Sequence, residues 1–379
     1  MPTKATMKFI LAPDSFKESM TAKEACEAMA RGIKQVIPDA VCIQVPLADG
    51  GEGTMQALAD ATGGTVFYQE VTDPLSNLIR GEYAILGDGE TGVVELASAS
   101  GLHLVPKEKR NPLVTTTYGT GQLIKALLAK GIKKLIIAIG GSATNDGGVG
   151  LLQALGIRFL DENEEEIGFG GRELGKITTI ETAGLITNNV PLEVEVACDV
   201  TNPLTGPTGA SRIYGPQKGA TEEMISELDR NLEHYAEKIK EYLNVDINQV
   251  PGAGAAGGTG AGLMAFLQAT LVPGINLVIK HSGIENKIKD ADFIFTGEGS
   301  IDHQTVNGKT ISGVVKLAQK YQKPVIAFAG RVCDHEMLYQ LGLKSVFGIL
   351  PEVCSLEEAL RKGKLNLEQT TTAVTRVLF

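Results

Sequence analysis

A chain of 379 residues with 43% hydrophobic content is long enough to bury more than one core and too apolar for disorder. Its net charge of −10 and 5% aromatic content argue against a nucleic-acid surface and against adhesion to an anionic membrane. Five cysteines without a C-x-x-C pair signal neither a zinc knuckle nor a redox dithiol, and neither a secretory leader nor a run of about 18 apolar residues is present, so a cytoplasmic setting is expected.

In chain order, KFILA at 8–12 reads as a strand, followed by a helix over Thr21–Val36, a strand in CIQVPLA at 42–48 and a helix over Gly53–Ala61. Residues 75–130 then hold YAILG, VVELA and a TTTYGTG turn that opens a helix, and LIIAI at 135–139 is a buried strand. IRFL and VEVACDV lie between long loops within 157–200. The Glu222–Tyr242 run places Leu228, Leu232, Tyr235, Ile239 and Leu243 on one face of a surface helix. The last hundred residues return to alternation: DFIFTG at 292–297, a helix through Ile311–Lys320, PVIAFAG at 324–330, a helix near Glu336–Leu341, SVFGIL at 345–350, and closing helices. The two ends read as βα units around a parallel sheet. The mixed middle is expected as an inserted second domain, 74–280, within a first domain of 1–73 plus 281–379.

Glycine, 45 of 379 residues, is clustered in DGGEG at 49–53, GGSATNDGG at 140–148, GAGAAGGTGAG at 252–262 and GEG at 297–299. Such loops ahead of helices suit a phosphate or nucleotide, because a ligand can approach the bare N–H groups. Gly140, Gly141, Ser142, Asn145, Asp146, Gly147, Gly257 and Gly258 are the candidates for that role. Asp146 has a second reading as a helix cap, and 252–271 as a helix packed closely through its small residues. Neither obvious nucleotide motif holds: the only GKT, Gly308-Lys309-Thr310, has His303 where a Walker A loop needs its first glycine, and the G-x-G-x-x-G at Gly252 follows Pro251 with no ribose-binding acid after it.

Read together and in order, APDSFKES at 12–19, PLADGGEGT at 46–54, TTTYGTGQLI at 115–124, GGSATNDGG at 140–148, ACDVTNPLTGPTGAS at 197–211, YGPQKGAT at 214–221, PGAGAAGGTGAGL at 251–263 and TGEGSIDHQTVNGKT at 296–310 resemble the type I glycerate kinase family over essentially the whole chain. The resemblance implies ATP-dependent phosphorylation of D-glycerate to 2-phosphoglycerate. It also implies an α/β fold in which a flavodoxin-like parallel-sheet domain is interrupted by a second, mixed α/β domain. The sequence departs from the family where Glu18 replaces a common Gly, where Ser76-Asn77 replace Gly-Arg, and where Ser300 replaces Arg. Arg80, Arg212 and Arg331 are the cations available to compensate.

Phosphoryl transfer needs a proton acceptor near the hydroxyl, Mg²⁺ on the phosphates, and cations or N–H donors for the equatorial oxygens. Lys17, Asp199 and Asp302 are the expected catalytic groups. Asp14, Ser15, Asp49, Lys218 and Lys309 are expected at the substrate, and Glu298 and Glu52 at Mg²⁺. His303 is a possible phosphate donor or an ordinary surface residue. Since both expected domains carry motifs, the site is expected in the cleft between them, closing on D-glycerate and ATP. Two readings compete: a nicotinamide oxidoreductase, supported only by GAGAAG, and a binding protein without turnover, supported only by the missing arginines.

Overall fold

The computed structural model describes residues 6–188, 191–302, 305, 309–333 and 336–379. Its strands are β1 Lys8–Leu11, β2 Val41–Gln44, β3 Thr65–Thr72, β4 Leu78–Ile85, β5 Thr91–Glu95, β6 Lys134–Ala138, β7 Arg158–Leu160, β8 Thr179–Glu181, β9 Glu193–Ala197, β10 Thr270–Val272, β11 Phe293–Ile301, β12 Val325–Val332 and β13 Ser345–Gly348. They belong to two compact units. One takes the described residues up to Asp49 together with Gln56–Gly63 and Gly274–Phe379; the other takes Gly50–Met55 and Gly64–Pro273.

The first unit carries a five-stranded sheet in the order β2-β1-β11-β12-β13, every neighbouring pair parallel. Renumbered within the unit, that order is 2-1-3-4-5, the flavodoxin-like arrangement. The remaining chain leaves after β2 and returns before β11. Apolar runs such as FIL at 9–11 and VIAFA at 325–329 are fully buried, as strands covered on both faces must be. The helix Ala22–Lys34 starts from a capping box in which Thr21 and Glu24 satisfy each other's backbone N–H groups. It packs against the closing helix Leu356–Leu378 so tightly that a Cβ on Gly32 would lie 2.5 Å from the Glu368 carbonyl oxygen.

The second unit carries a six-stranded sheet, β10-β9-β6-β5-β4-β3, antiparallel from β3 to β5 and parallel from β5 to β10. The short antiparallel pair β7-β8 lies apart from it. β3, TVFYQEVT, alternates too weakly to announce itself as a strand. It ends just before the expected boundary at 73/74 and pairs along its whole length with β4. The long helix Glu222–Leu243, capped by Thr221, buries Leu228, Leu232, Tyr235 and Ile239, the face its spacing predicts. Among the described residues no helix is long and apolar enough to cross a membrane.

Candidate active site

In the first unit, β1 and β11 are neighbours whose onward connections run to opposite sides of the sheet. The crevice beyond their carboxyl ends is therefore the switch point at which open α/β sheets take ligands. Asp14 follows β1 and is tied to β11 by its N–H on the Gly297 carbonyl at 2.8 Å. Its carboxylate accepts from the Thr310 hydroxyl at 2.6 Å and from the Ser15 N–H at 2.6 Å. Thr310 opens the helix Thr310–Lys320, and Lys309 is its N-cap residue. Glu298, on β11, accepts from the buried Thr305 hydroxyl at 2.6 Å, and the same hydroxyl receives the Asp302 N–H at 3.1 Å. The exposed Lys17 follows Phe16, whose backbone runs beside Gly299.

The electrostatics of this group follow from burial with few cations. Burial pushes Asp14 up to about 6, against the pull of Thr310, and the Asp49 charge pushes the same way. Glu298 is pushed up to about 7, again chiefly by burial, with the Asp14 and Asp49 charges adding to it and Lys309 opposing. Asp14, Ser15, Lys17, Asp49, Glu298, Asp302 and Lys309 thus belong to one unit, and Asp14, Asp49, Glu298 and Lys309 act on one another electrostatically. Thr305 and Thr310, which orient the two carboxylates, were missed by sequence reasoning. Thr310 stood in the rejected GKT match, and hydroxyl partners leave no signature of their own. His303 and Gly308 lie outside the described residues.

In the second unit the carboxyl ends of β5, β6 and β9 carry Glu95, the 140–148 loop and Asp199. Gly140 and Gly141 are exposed, and a Cβ on Gly140 would meet nothing nearer than the Gly51 Cα, at 3.6 Å. These two glycines are the open part of the expected cradle. The rest of the loop is interior. The Asp146 carboxylate accepts from both the N–H and the hydroxyl of Thr117 at 2.8 Å, and from the Gly148 N–H at 3.3 Å. Burial pushes its proton affinity up. It ties the loop to the start of the helix Tyr118–Ala129, and Gly148, not Asp146, is the N-cap of the next helix. Asn145 donates to Ser211 at 3.0 Å, while its side-chain carbonyl oxygen and the Thr144 hydroxyl are buried without a partner among the described residues.

Gly147, Gly257 and Gly258 come together as a packing joint. The Gly147 N–H donates to the Gly257 carbonyl at 3.0 Å, and a Cβ on Gly257 would lie 2.0 Å from the Thr144 carbonyl oxygen. The close-packing reading of 252–271 describes what these residues do here, and the helix Thr259–Leu267 they open follows no strand. Lys218 is 2% exposed, with Nζ on the Ser142 hydroxyl at 2.7 Å and on the Thr144 carbonyl at 2.6 Å. Burial lowers its ammonium to about 7, opposed by the Asp146 charge. Asp199 and Glu52 are exposed.

Glu95 is a further group that sequence reasoning passed over, although a carboxylate at the end of the apolar run VVELA is itself a signal. It is 8% exposed, and it accepts the Met55 N–H at 2.8 Å, which fixes the glycine segment after Asp49. Burial pushes it up to about 7, opposed by the Met55 and Gly53 N–H groups and reinforced by Glu82 and Glu52.

The departures from the family pattern also find places. Ser300 pairs with Arg331 in the β11-β12 ladder. Arg80 lies over the Tyr68 ring at 3.9 Å, while Arg212 acts on Asp229. Asn77 takes part in a turn, donating its N–H and its side-chain amide to Asp73, each at 2.9 Å.

A parallel sheet and a mixed sheet, with polar and glycine-rich loops at the carboxyl ends of their parallel strands, define an α/β protein. The chain belongs to the glycerate kinase family, whose model matches residues 9–379. It is 51% identical over 365 residues to a glycerate kinase of Bacillus subtilis, covering 96% of each chain. It is equally 51% identical over 362 residues to a glycerate 2-kinase of Escherichia coli, covering 95% of each. Its fold matches a crystal structure from Salmonella typhimurium LT2 of a protein assigned as glycerate kinase 2, with a TM-score of 0.92 at 46% identity over 98% of both chains.

Proposed function

We propose that the protein transfers the γ-phosphoryl group of ATP to the 2-hydroxyl of D-glycerate, forming 2-phosphoglycerate and ADP. The observation that carries this reading is the end-to-end likeness to a glycerate 2-kinase. In the reaction the hydroxyl oxygen bonds to the γ-phosphorus, the bond from that phosphorus to the bridging oxygen breaks, ADP leaves, and the hydroxyl proton passes to a base.

Asp14 and Glu298 are the best-placed acceptors for that proton. Their raised proton affinities suit a base working near neutral pH, and each is held by a threonine hydroxyl that fixes its orientation. Ser15, Lys17 and Lys309 supply donors and charge for the glycerate carboxylate or the migrating phosphoryl group, and Asp302, whose N–H donates to Thr305, keeps the catalytic role expected of it. Gly140, Gly141 and Ser142 supply donors for the nucleotide phosphates. Asp199 keeps the catalytic contact expected of it, and Glu52 the metal contact, as exposed carboxylates.

No cage of three or more metal-binding side chains exists among the described residues. Mg²⁺ in kinases asks for less than that, one or two carboxylates with the phosphates and water completing its shell. Asp49 fits it in charge, since its carboxylate adds to the repulsion felt by Asp14 and Glu298, which a divalent cation would relieve. When bound there it neutralises charge on the phosphates.

The test is a steady-state assay with D-glycerate, ATP and Mg²⁺, coupled to enolase without phosphoglycerate mutase. Signal is expected. Signal only after mutase is added moves the product to 3-phosphoglycerate, and no ADP at all overturns the reading. NADH binding in a fluorescence titration would instead favour the oxidoreductase.

A further inference from the structure

We infer that Lys218 is a positioning residue for a nucleotide phosphate bound on the Gly140–Gly141–Ser142 backbone, and that it acts through the Ser142 hydroxyl without touching the ligand. The inference rests on the kinase reading above and replaces the expected place of Lys218 at the substrate.

Lys218 is 2% exposed, and its Nζ is held by two neutral acceptors, the Ser142 hydroxyl and the Thr144 carbonyl, at 2.7 and 2.6 Å. An ammonium group offers donors only. The Ser142 oxygen therefore accepts from Lys218, and the serine's own proton must point away from Nζ. No described residue accepts that proton, although Ser142 is only 6% exposed. On the outer side of Ser142 lie Gly140 and Gly141, both exposed, whose N–H groups donate to no described residue.

The backbone carrying these groups is pinned on both sides. The Leu102 N–H donates to the Gly141 carbonyl at 2.8 Å, and the Ala143 N–H to the Ser100 carbonyl at 2.9 Å. Gly141 has φ +72°, a left-handed conformation that glycine adopts without strain. The result is a fixed run of unpaired donors with a buried amine behind it, whose charged form a bound anion would favour. An anion placed there receives N–H groups and a hydroxyl whose oxygen already accepts from a cation, which strengthens it as a donor. Asp146, the acid that acts electrostatically on Lys218, has its oxygens occupied by Thr117 and Gly148 and so stays in the interior. A tetrahedral oxyanion suits this arrangement better than a planar carboxylate, because three neighbouring donors can serve three phosphate oxygens.

The experiment is a double-mutant cycle on the full chain with Ser142→Ala, Lys218→Met and the double variant. It reads affinity for a non-hydrolysable ATP analogue by calorimetry and, separately, KM for ATP and for glycerate. Each single substitution is expected to weaken analogue binding on the order of tenfold, with the double variant no weaker than Lys218→Met alone and the glycerate KM unmoved. Ser142→Thr, which keeps the hydroxyl, is expected to retain most of the affinity. Additive losses would overturn the inference, since Lys218 would then act by its own route. So would a change confined to the glycerate KM, which would return Lys218 to the substrate. Should Lys218→Met not fold, Ser142→Ala against Ser142→Thr decides alone, and unchanged affinity in the alanine variant overturns the proposal. Analogue binding is read without turnover. A wild-type protein that binds the analogue and makes no phosphoglycerate would sink the kinase reading and leave this one in place.

Discussion

The Thr310 hydroxyl donates to the Asp14 carboxylate at 2.6 Å, joining two residues 296 positions apart, one just after the first strand and one at the start of a helix near the other end of the chain. The bond favours the ionised acid and so opposes the burial that pushes Asp14 up to about 6. Thr310→Val is expected to raise Asp14 further, shifting the acidic limb of the kcat/KM profile to higher pH and lowering kcat/KM at pH 6 roughly tenfold. Thr310→Ser should restore the profile. A full pH profile of the three proteins checks it, and an unmoved acidic limb would exclude Asp14 as the group that must be ionised.

Asp14, Glu298 and Glu95 all hold protons more tightly folded than unfolded. Between their ordinary range near 4 and their folded values of about 6 to 7, the folded chain binds more protons than the unfolded one, so stability falls as pH rises through that window. Asp14→Asn and Glu298→Gln are therefore expected to abolish most of the activity while raising stability at pH 8 by about 1–2 kcal/mol each. At pH 4, where the wild-type acids are also neutral, the gain should vanish. Thermal unfolding at the two pH values provides the comparison.

Two glycines separate ligand approach from packing. Gly140 has an ordinary φ, and a methyl added there would meet only the Gly51 Cα, at 3.6 Å, so Gly140→Ala should leave the melting temperature nearly unchanged. If the cradle binds phosphate, the same methyl raises KM for ATP roughly tenfold. Gly257→Ala brings its Cβ to 2.0 Å from the Thr144 carbonyl oxygen at φ +67°, and should cost about 3 kcal/mol or more. Equal effects of the two substitutions on stability would contradict this division.

Much of the first unit was legible because its central strands carry short apolar runs, FIL in β1, FIF in β11 and VIAFA in β12, between amphipathic helices, a pattern that parallel burial imposes. The sheet order needed the resemblance, since nothing in KFILA or DFIFTG says that they are neighbours. β3 was not legible: TVFYQEVT is an edge strand with little to bury, and its pairing with β4 puts it in the second unit. At the site, residue type gave the candidates but not their use. Asp146, Asn145 and Lys218 carry the right chemistry for a ligand and are turned inward, and only packing decides that. Glu95 and Thr310 act through partners 40 and 296 positions away, separations that no local motif reports.

Two departures from the family pattern coincide with the backbone. Glu18 has φ +63° and Ser76 φ +65°, and at both places relatives of this kind commonly have glycine. A left-handed conformation brings the Cβ of any L-residue close to the following carbonyl oxygen, at a cost of about 1–2 kcal/mol, while glycine at that site loses some of the gain to its freer unfolded state. Glu18 is exposed, so its replacement removes little packing. Ser76 sits in the turn closed by its own N–H on the Asp73 carbonyl, which a glycine would keep. Glu18→Gly and Ser76→Gly are each expected to raise stability by about 0.5–1 kcal/mol without altering kcat, measured by chemical denaturation and the coupled assay. Loss of stability at either position would mean that the side chain makes a compensating contact worth more than the strain. A change in kcat with Ser76→Gly would bring the Asp73–Asn77 turn into the reaction itself.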